Sequence, residues 1–306
     1  MIEINNVTYK YNGTAAVENV TLTVADGSVM GIVGKNGCGK TTLLNMCAGV
    51  YKPFAGEILL DGAPAYDNDR ERKKLFYLAD NFYLPSAFTV KRAAKFYAAH
   101  HPDFDYEIFG KICAAFELDE TKNIKSLSKG MAKQAGIAIA FAAKPKYLLI
   151  DETFDGLDPQ KKQLLRKLLL DYIAETDASV IISSHDLHEI STLCDRIALI
   201  NETHAVLDCA ADDVSDSYRR VKITADSDIT PEMFEGISYT DIKISGKAAL
   251  LTVFGDTDRE IAKLRALNVA VADCERLTLE EVFNAETEGK INGEKLENIF
   301  NKKDIE

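Results

Sequence analysis

Residues 29–42 read VMGIVGKNGCGKTT, and they limit the possible folds more than any other stretch of the chain. The apolar run from Val29 to Val33 has the pattern of a parallel strand buried on both faces. It passes directly into Gly34-x-x-x-x-Gly39-Lys40-Thr41 and then into helix-forming residues through Leu43 and Leu44. Glycines let backbone N–H groups wrap an oxyanion, the lysine reaches terminal phosphates, and the Thr41 hydroxyl suits Mg²⁺. The helix dipole adds a favourable field at the same place. A chance glycine-rich turn would lack this combination of strand before and helix after. The expected fold class is therefore α/β with a phosphate loop. Gly34, Asn36, Gly37, Cys38, Gly39, Lys40, Thr41 and Thr42 are its candidate binding residues. Cys38 has two readings, a redox switch whose pKa the cationic helix start lowers, or a small tolerated side chain.

A second stretch supplies the carboxylates such a site needs. YLLIDE at 147–152 is an apolar strand closing on Asp151 and Glu152. Asp151 suits the Mg²⁺ shell, and Glu152 is a candidate to polarise the attacking water. A third stretch, SLSKGMAKQ at 126–134, is a helix start with Ser128 as its N-cap, and so a second anion-binding turn. One nucleotide does not obviously need two such turns.

Composition excludes several other classes. With 306 residues there is room for one large and one small domain. The net charge of −12 opposes a nucleic-acid footprint and broad adhesion to anionic lipid. No stretch approaches a membrane span, and MIEINNVTYKY reads as a strand rather than a secretory signal. Cys38, Cys47, Cys113, Cys194, Cys209 and Cys274 show no metal spacing, which suggests reduced cytosolic thiols that mostly fill core.

The phosphate loop, the serine-glycine turn at 127–131, YLLIDE, FDGLDP and SSH, in that order, resemble the ATP-binding cassette (ABC) ATPases over residues 1 to about 212. The five elements agree in type, order and spacing. The resemblance implies a P-loop NTPase core with an antiparallel β-subdomain and a helical subdomain at about 82–143. It also answers the question of the second turn. In that family the signature caps ATP held by the other cassette, so Ser128 and Gly130 would contact nucleotide in trans within an ATP-dependent dimer. Tyr11 matches the aromatic that stacks on adenine, with Tyr9 a nearby competitor. Asp158 matches the loop between cassettes, and with Pro159 it also reads as an N-cap and first-turn proline. His185 matches the histidine on the γ-phosphate. His188 lies one helical turn away, so a metal pair is conceivable, but no further ligand stands at zinc-like spacing. His100 and His101 end a predicted helix and are expected to be solvated.

Two positions depart from the family pattern. Asp80, in LFYLADN, stands where a glutamine is usual, and it is a candidate Mg²⁺ ligand alongside Thr41 and Asp151. The alternative is that it caps a turn. Lys129 replaces a glycine, and LSKGM is a form familiar from exporter cassettes. Residues 82–118 read as helices with turns at Pro85 and Pro102, and they resemble the subdomain that receives a membrane partner.

Beyond residue 212 the pattern changes to a small α+β module, 213–285. Strands are expected at 219–225 and 248–254, a hairpin across GISYTDIKISGKA, helical spacing at 257–267 and a closing helix over ERLTLEEVF at 275–283. Residues 286–306 read as a polar, disordered tail. The resemblance implies an ATPase using ATP and Mg²⁺, in a homodimer bound to separate transmembrane permease subunits. Such a subunit would be cytoplasmic and peripheral on the inner membrane face, and exporting. The alternative is a soluble cassette ATPase acting on ribosomes or chromosomes. Those relatives usually carry two cassettes or a long coiled coil, and neither is visible here.

Overall fold

The computed structural model describes residues 1–288 apart from Ser215 and Asn268. The chain divides into two compact units, Met1–Ala211 and Asp212–Glu306. Along the first unit run β1 (Ile2–Tyr11), β2 (Thr14–Val24), β3 (Val29–Val33), α1 (Lys40–Cys47), β4 (Ala55–Leu60), β5 (Ala63–Pro64), α2 (Asp69–Arg72) and β6 (Leu75–Leu78). They are followed by α3 (Val90–Ala98), α4 (Tyr106–Ala115), α5 (Lys129–Ala142), β7 (Tyr147–Asp151), α6 (Pro159–Thr176), β8 (Ser179–Ser184), α7 (Leu187–Leu193), β9 (Arg196–Asn201) and β10 (His204–Ala210).

Two sheets organise this unit. One is antiparallel, in the order β2-β1-β4-β5; the other has six strands, β10-β9-β3-β8-β7-β6. Within the second, β9, β3, β8, β7 and β6 are parallel and only β10 runs against its neighbour. Every residue of β3, β7 and β8 is buried, which explains the short apolar runs at their centres. Side chains alternate between the faces of such a strand. Met30 and Ile32 join Leu43 and Leu44 of α1 and Ile2, Ile4 and Val20 of the antiparallel sheet in one core. Gly31 points the other way. A Cβ there would stand 2.5 Å from Ile190 Cγ2 and 2.9 Å from Cys194 Sγ, so only glycine lets α7 pack this closely.

The parallel strands carry the site because their carboxyl ends feed the loops that precede α1 and follow β6, β7 and β8. Helices α3, α4 and α5 occupy the expected 82–143 region. Ser128 caps α5 and Asp158 caps α6 with Pro159 in its first turn, as the sequence indicated. One expectation fails: His101 is not solvated. It is buried, with its ring centroid 5.2 Å from that of Phe76, while His100 is exposed. The chain folds back after α3 and carries the second histidine under the sheet edge.

The second unit contains β11 (Tyr218–Thr224), β12 (Tyr239–Ser245), β13 (Ala248–Phe254), α8 (Thr257–Ala266), β14 (Ala270–Arg276) and α9 (Leu279–Glu288). Its sheet has the order β12-β13-β11-β14 and is antiparallel throughout. Val221, Leu251, Val253, Phe234 and Leu264 form its core. The closing helix begins later than expected, because Glu275 and Arg276 end the additional strand β14. That edge strand is exposed at every residue except the half-buried Val271, so it carries no apolar alternation to read. Residues 286–288, assigned to the tail from sequence, belong to α9. The remainder of that expected tail lies outside the described residues. Among the described residues no helix is long and apolar enough to cross a membrane.

Candidate functional site

The loop between β3 and α1 is shaped by its glycines. Gly37 and Gly39 adopt φ of 85° and 106°, values that disfavour any side chain. A Cβ at Gly39 would lie 2.3 Å from the Ala16 carbonyl oxygen, and one at Gly34 would lie 2.4 Å from that of Ile200. The loop is thus pressed against β2 and β9, and the N-terminus of α1 faces outward. No side chain caps that helix, which leaves its first N–H groups for a ligand. Lys40 is only 5% exposed, and its Nζ donates to Gly34 O at 2.8 Å and Lys35 O at 3.3 Å.

A cavity of about 550 Å³ opens over this loop. Asn36, Gly37, Gly39, Lys40, Thr41 and Thr42 line one side. Tyr11, Asp80, Glu152 and His185 line the rest, together with Ala16, Lys129 and Asp155. Tyr11 is 44% exposed and shares a 3.3 Å hydrogen bond between its hydroxyl and Thr42 Oγ1. Tyr9 instead stacks on Tyr51 at 5.0 Å and packs against the core.

Asp151 ends β7 with 1% exposure. Ser183 Oγ and, at 3.2 Å, the Tyr77 hydroxyl donate to its carboxylate. Among the described residues no cationic side chain pairs with it. A buried carboxylate served only by neutral hydroxyls fits a hard cation; Thr41, an oxygen donor of the type Mg²⁺ takes, lines the cavity, whereas Asp151 does not.

Glu152 stands one residue further on, in a left-handed backbone conformation with φ 46°. Its N–H donates to Ser183 O at 3.1 Å, and its carbonyl accepts from Lys133 Nζ at 2.7 Å. Its carboxylate lies 3.3 Å from Lys40 Nζ and 2.9 Å from His185 Nδ1. Burial disfavours its charge, but Lys40 and the hydrogen bond from His185 outweigh burial and hold the carboxyl below its ordinary range. Asp155 moves the other way, raised by burial and by its hydrogen bond with Glu152. Two neighbouring carboxyls are thus pushed apart, the arrangement that divides acid from base roles. The ligand atoms of Glu152, Asp155 and His185 lie within 4.8 Å of one another, and His188 is not part of this group.

The remaining candidates lie elsewhere. Ser128 Oγ accepts from Met131 N–H at 3.2 Å, and Asp158 Oδ1 accepts from Lys161 N–H at 3.0 Å. Neither they nor Gly130 line the cavity, although Lys129 between them does. Asp80 pairs with Lys133 at 2.9 Å. Gly34 and Cys38 shape the loop from behind. Cys38 is buried, and burial raises its thiol pKa against the pull of Lys40, so the low-pKa redox reading is overturned. Asp155 and Lys133 were not singled out from sequence. Lys133 follows the exposed Lys129 by one helical turn, so the sequence holds no signal that sets it apart.

A family model described as ABC transporter matches residues 17–155. The ABC transporter ATP-binding protein YtrB of Bacillus subtilis is 29% identical over 95% of this chain and 99% of its own length. A putative ABC transporter ATP-binding protein of Halobacterium salinarum is 31% identical over 68% of this chain and 92% of its own length. The methionine import ATP-binding protein MetN of Caulobacter vibrioides is 28% identical over 82% of this chain and 80% of its own length. Among solved structures, cbiO1 from Clostridium perfringens, part of the ABC transporter complex cbiONQ, aligns with a TM-score of 0.59. It is 27% identical and covers 70% of this chain and 89% of its own.

Proposed function

The chain belongs to the ABC transporter family as an ATP-binding ATPase, and from that premise we propose how its residues act and with what partners. ATP lies in the cavity with its adenine on Tyr11 and its phosphates over residues 34–42. Lys40 and the N–H groups at the start of α1 balance the phosphate charge. Thr41 and Asp151, with Asp80 at the same cavity, would hold Mg²⁺, which would supply positive charge against the phosphates. Glu152 orients a water for in-line attack on the γ-phosphorus, and His185 steadies the γ-phosphate and the water. The bond to the bridging oxygen breaks, giving ADP and phosphate.

The observation that carries this reading is the placement of the Glu152 carboxylate. It sits at the cavity between Lys40 at 3.3 Å and His185 at 2.9 Å. Glu152→Gln is expected to lower kcat at least about 100-fold while ATP binding persists. Turnover at the parent rate would remove Glu152 from this role.

The site also supports a partner. Ser128, Gly130 and Asp158 lie outside the cavity of their own chain, which suits residues that serve the ATP of a second copy in a homodimer. Separate membrane-spanning subunits would receive the resulting motion, placing the protein peripherally on the cytoplasmic face. We read the direction as export from the LSKGM form of the signature, although relatives named as importers also match. Reconstitution with the membrane partner in vesicles tests direction: export predicts ATP-driven movement away from the ATP-containing side, and movement toward that side would contradict it.

A further inference from the structure

Asp80 and Lys133 form a pair whose location gives it a task. Asp80 follows β6 and lines the cavity, whereas Lys133 lies in α5, within the helical region. Lys133 is 6% exposed, so its charge needs partners there. Among the described residues it has two: Asp80 Oδ1 at 2.9 Å and the backbone carbonyl of Glu152 at 2.7 Å. The second contact matters because Glu152 is a non-glycine residue at φ 46°, a conformation that persists only when neighbours hold it. Ser183 grips the N–H side of that residue, and Lys133 grips its carbonyl.

We propose that Lys133 is a positioning residue of the hydrolytic centre, fixing the Glu152 backbone while Asp80 neutralises its buried charge. This inference rests on the assignment of Glu152 to the attacking water. It also gives Asp80 a use of its own. A glutamine amide at position 80 could not balance a buried ammonium, so the aspartate and the lysine form one unit. The helix that starts at Ser128 thereby reaches the glutamate of its own chain, and a shift of α5 would be felt at Glu152.

The test is a double-mutant cycle on the full chain, reading kcat, KM for ATP and thermal midpoint. Lys133→Met is expected to reduce kcat at least about tenfold, with KM changed less than about twofold. Asp80→Asn alone is expected to cost several-fold, and Asp80→Asn with Lys133→Met to be no slower than Lys133→Met alone. Should Lys133→Met fail to fold, Lys133→Gln keeps a donor for the Glu152 carbonyl without the charge. Its loss of kcat should then be smaller and insensitive to Asp80→Asn. Losses that multiply independently in the cycle overturn the pairing, and parent-like kcat in Lys133→Met, or a loss in Lys133→Gln as large as in Lys133→Met or deepened by Asp80→Asn, overturns the positioning role. Glu152→Gln measured in parallel separates the two claims. Collapse there with parent-like Lys133 variants defeats only this inference, while unchanged turnover there defeats the underlying assignment.

Discussion

The turns that open α1 and α5 contain the same ingredients, glycine, lysine and a hydroxyl, yet they finish differently. At α1 the N-cap is Gly39, which offers no side-chain hydrogen bond, and the helix start remains available to a ligand. At α5 the Ser128 hydroxyl already accepts from Met131 N–H, so one N–H group of that turn has a partner within its own chain. Lys40 is buried and pinned by two carbonyls and a carboxylate, while Lys129 is exposed. The first turn is built around something that must enter its own cavity. The second leaves Ser128 and Gly130 outside the cavity of its own chain, which suits a partner more than a resident ligand.

The largest break in that comparison comes from the lysines. Lys40→Ala removes the buried cation from three acceptors and from the phosphates, and is expected to weaken ATP binding by about 2–5 kcal/mol, measured by titration calorimetry. Lys129→Ala, at an exposed position, should change the same affinity by less than about 1 kcal/mol. Equal losses would mean that the two turns play the same part. The glycines come next. Gly39→Ala drives a Cβ to 2.3 Å from a backbone oxygen at φ 106° and should destabilise by about 1–3 kcal/mol in urea unfolding. In Gly130→Ala the nearest atom would be 3.2 Å away, and helix propensity favours alanine by up to about 1 kcal/mol, so little net change is expected.

The smallest effect is in acid. Folding holds the Glu152 carboxyl below its ordinary pKa, so the folded chain binds fewer protons there than the unfolded one. Its contribution is present in full above about pH 4.3 and is lost as pH falls through the folded value. Asp155, whose pKa is raised, contributes in the opposite sense and loses its stabilising effect as pH rises through its own value. Glu152→Gln should therefore flatten the fall in urea midpoint as the pH drops below the ordinary carboxylate range, and an unchanged slope would count against the Lys40–Glu152 contact.

Much of the first turn was legible because its constraints are local. The buried strand, the glycine spacing, the lysine and the hydroxyl all lie within 29–42, and YLLIDE places Asp151 and Glu152 at a strand end by the same short-range logic. Ser128 and Asp158 were readable as caps for that reason also. What could not be read depends on distant chain segments. Lys133 meets Asp80 and Glu152 only because α5 packs against β6, and nothing in KGMAKQ distinguishes a buried lysine from a solvated one. His101 is buried by a turn that brings it onto Phe76. Strand β14 exists because β11 offers it a free edge, not because AVADCER alternates.

The central claim is that a working site joins the 34–42 loop of one copy to Ser128 and Gly130 of another. Mixing two defective variants tests it directly. Lys40→Ala disables the loop and Ser128→Arg disables the signature, so each alone should be nearly inactive. In a mixed dimer one site would combine the intact loop of one chain with the intact signature of the other. Mixing equal amounts with ATP should therefore restore about a quarter of the parent rate, since half the dimers are mixed and each has one good site of two. If the mixture stays as inactive as its components while both variants still dimerise, each chain builds its site alone and the account is wrong.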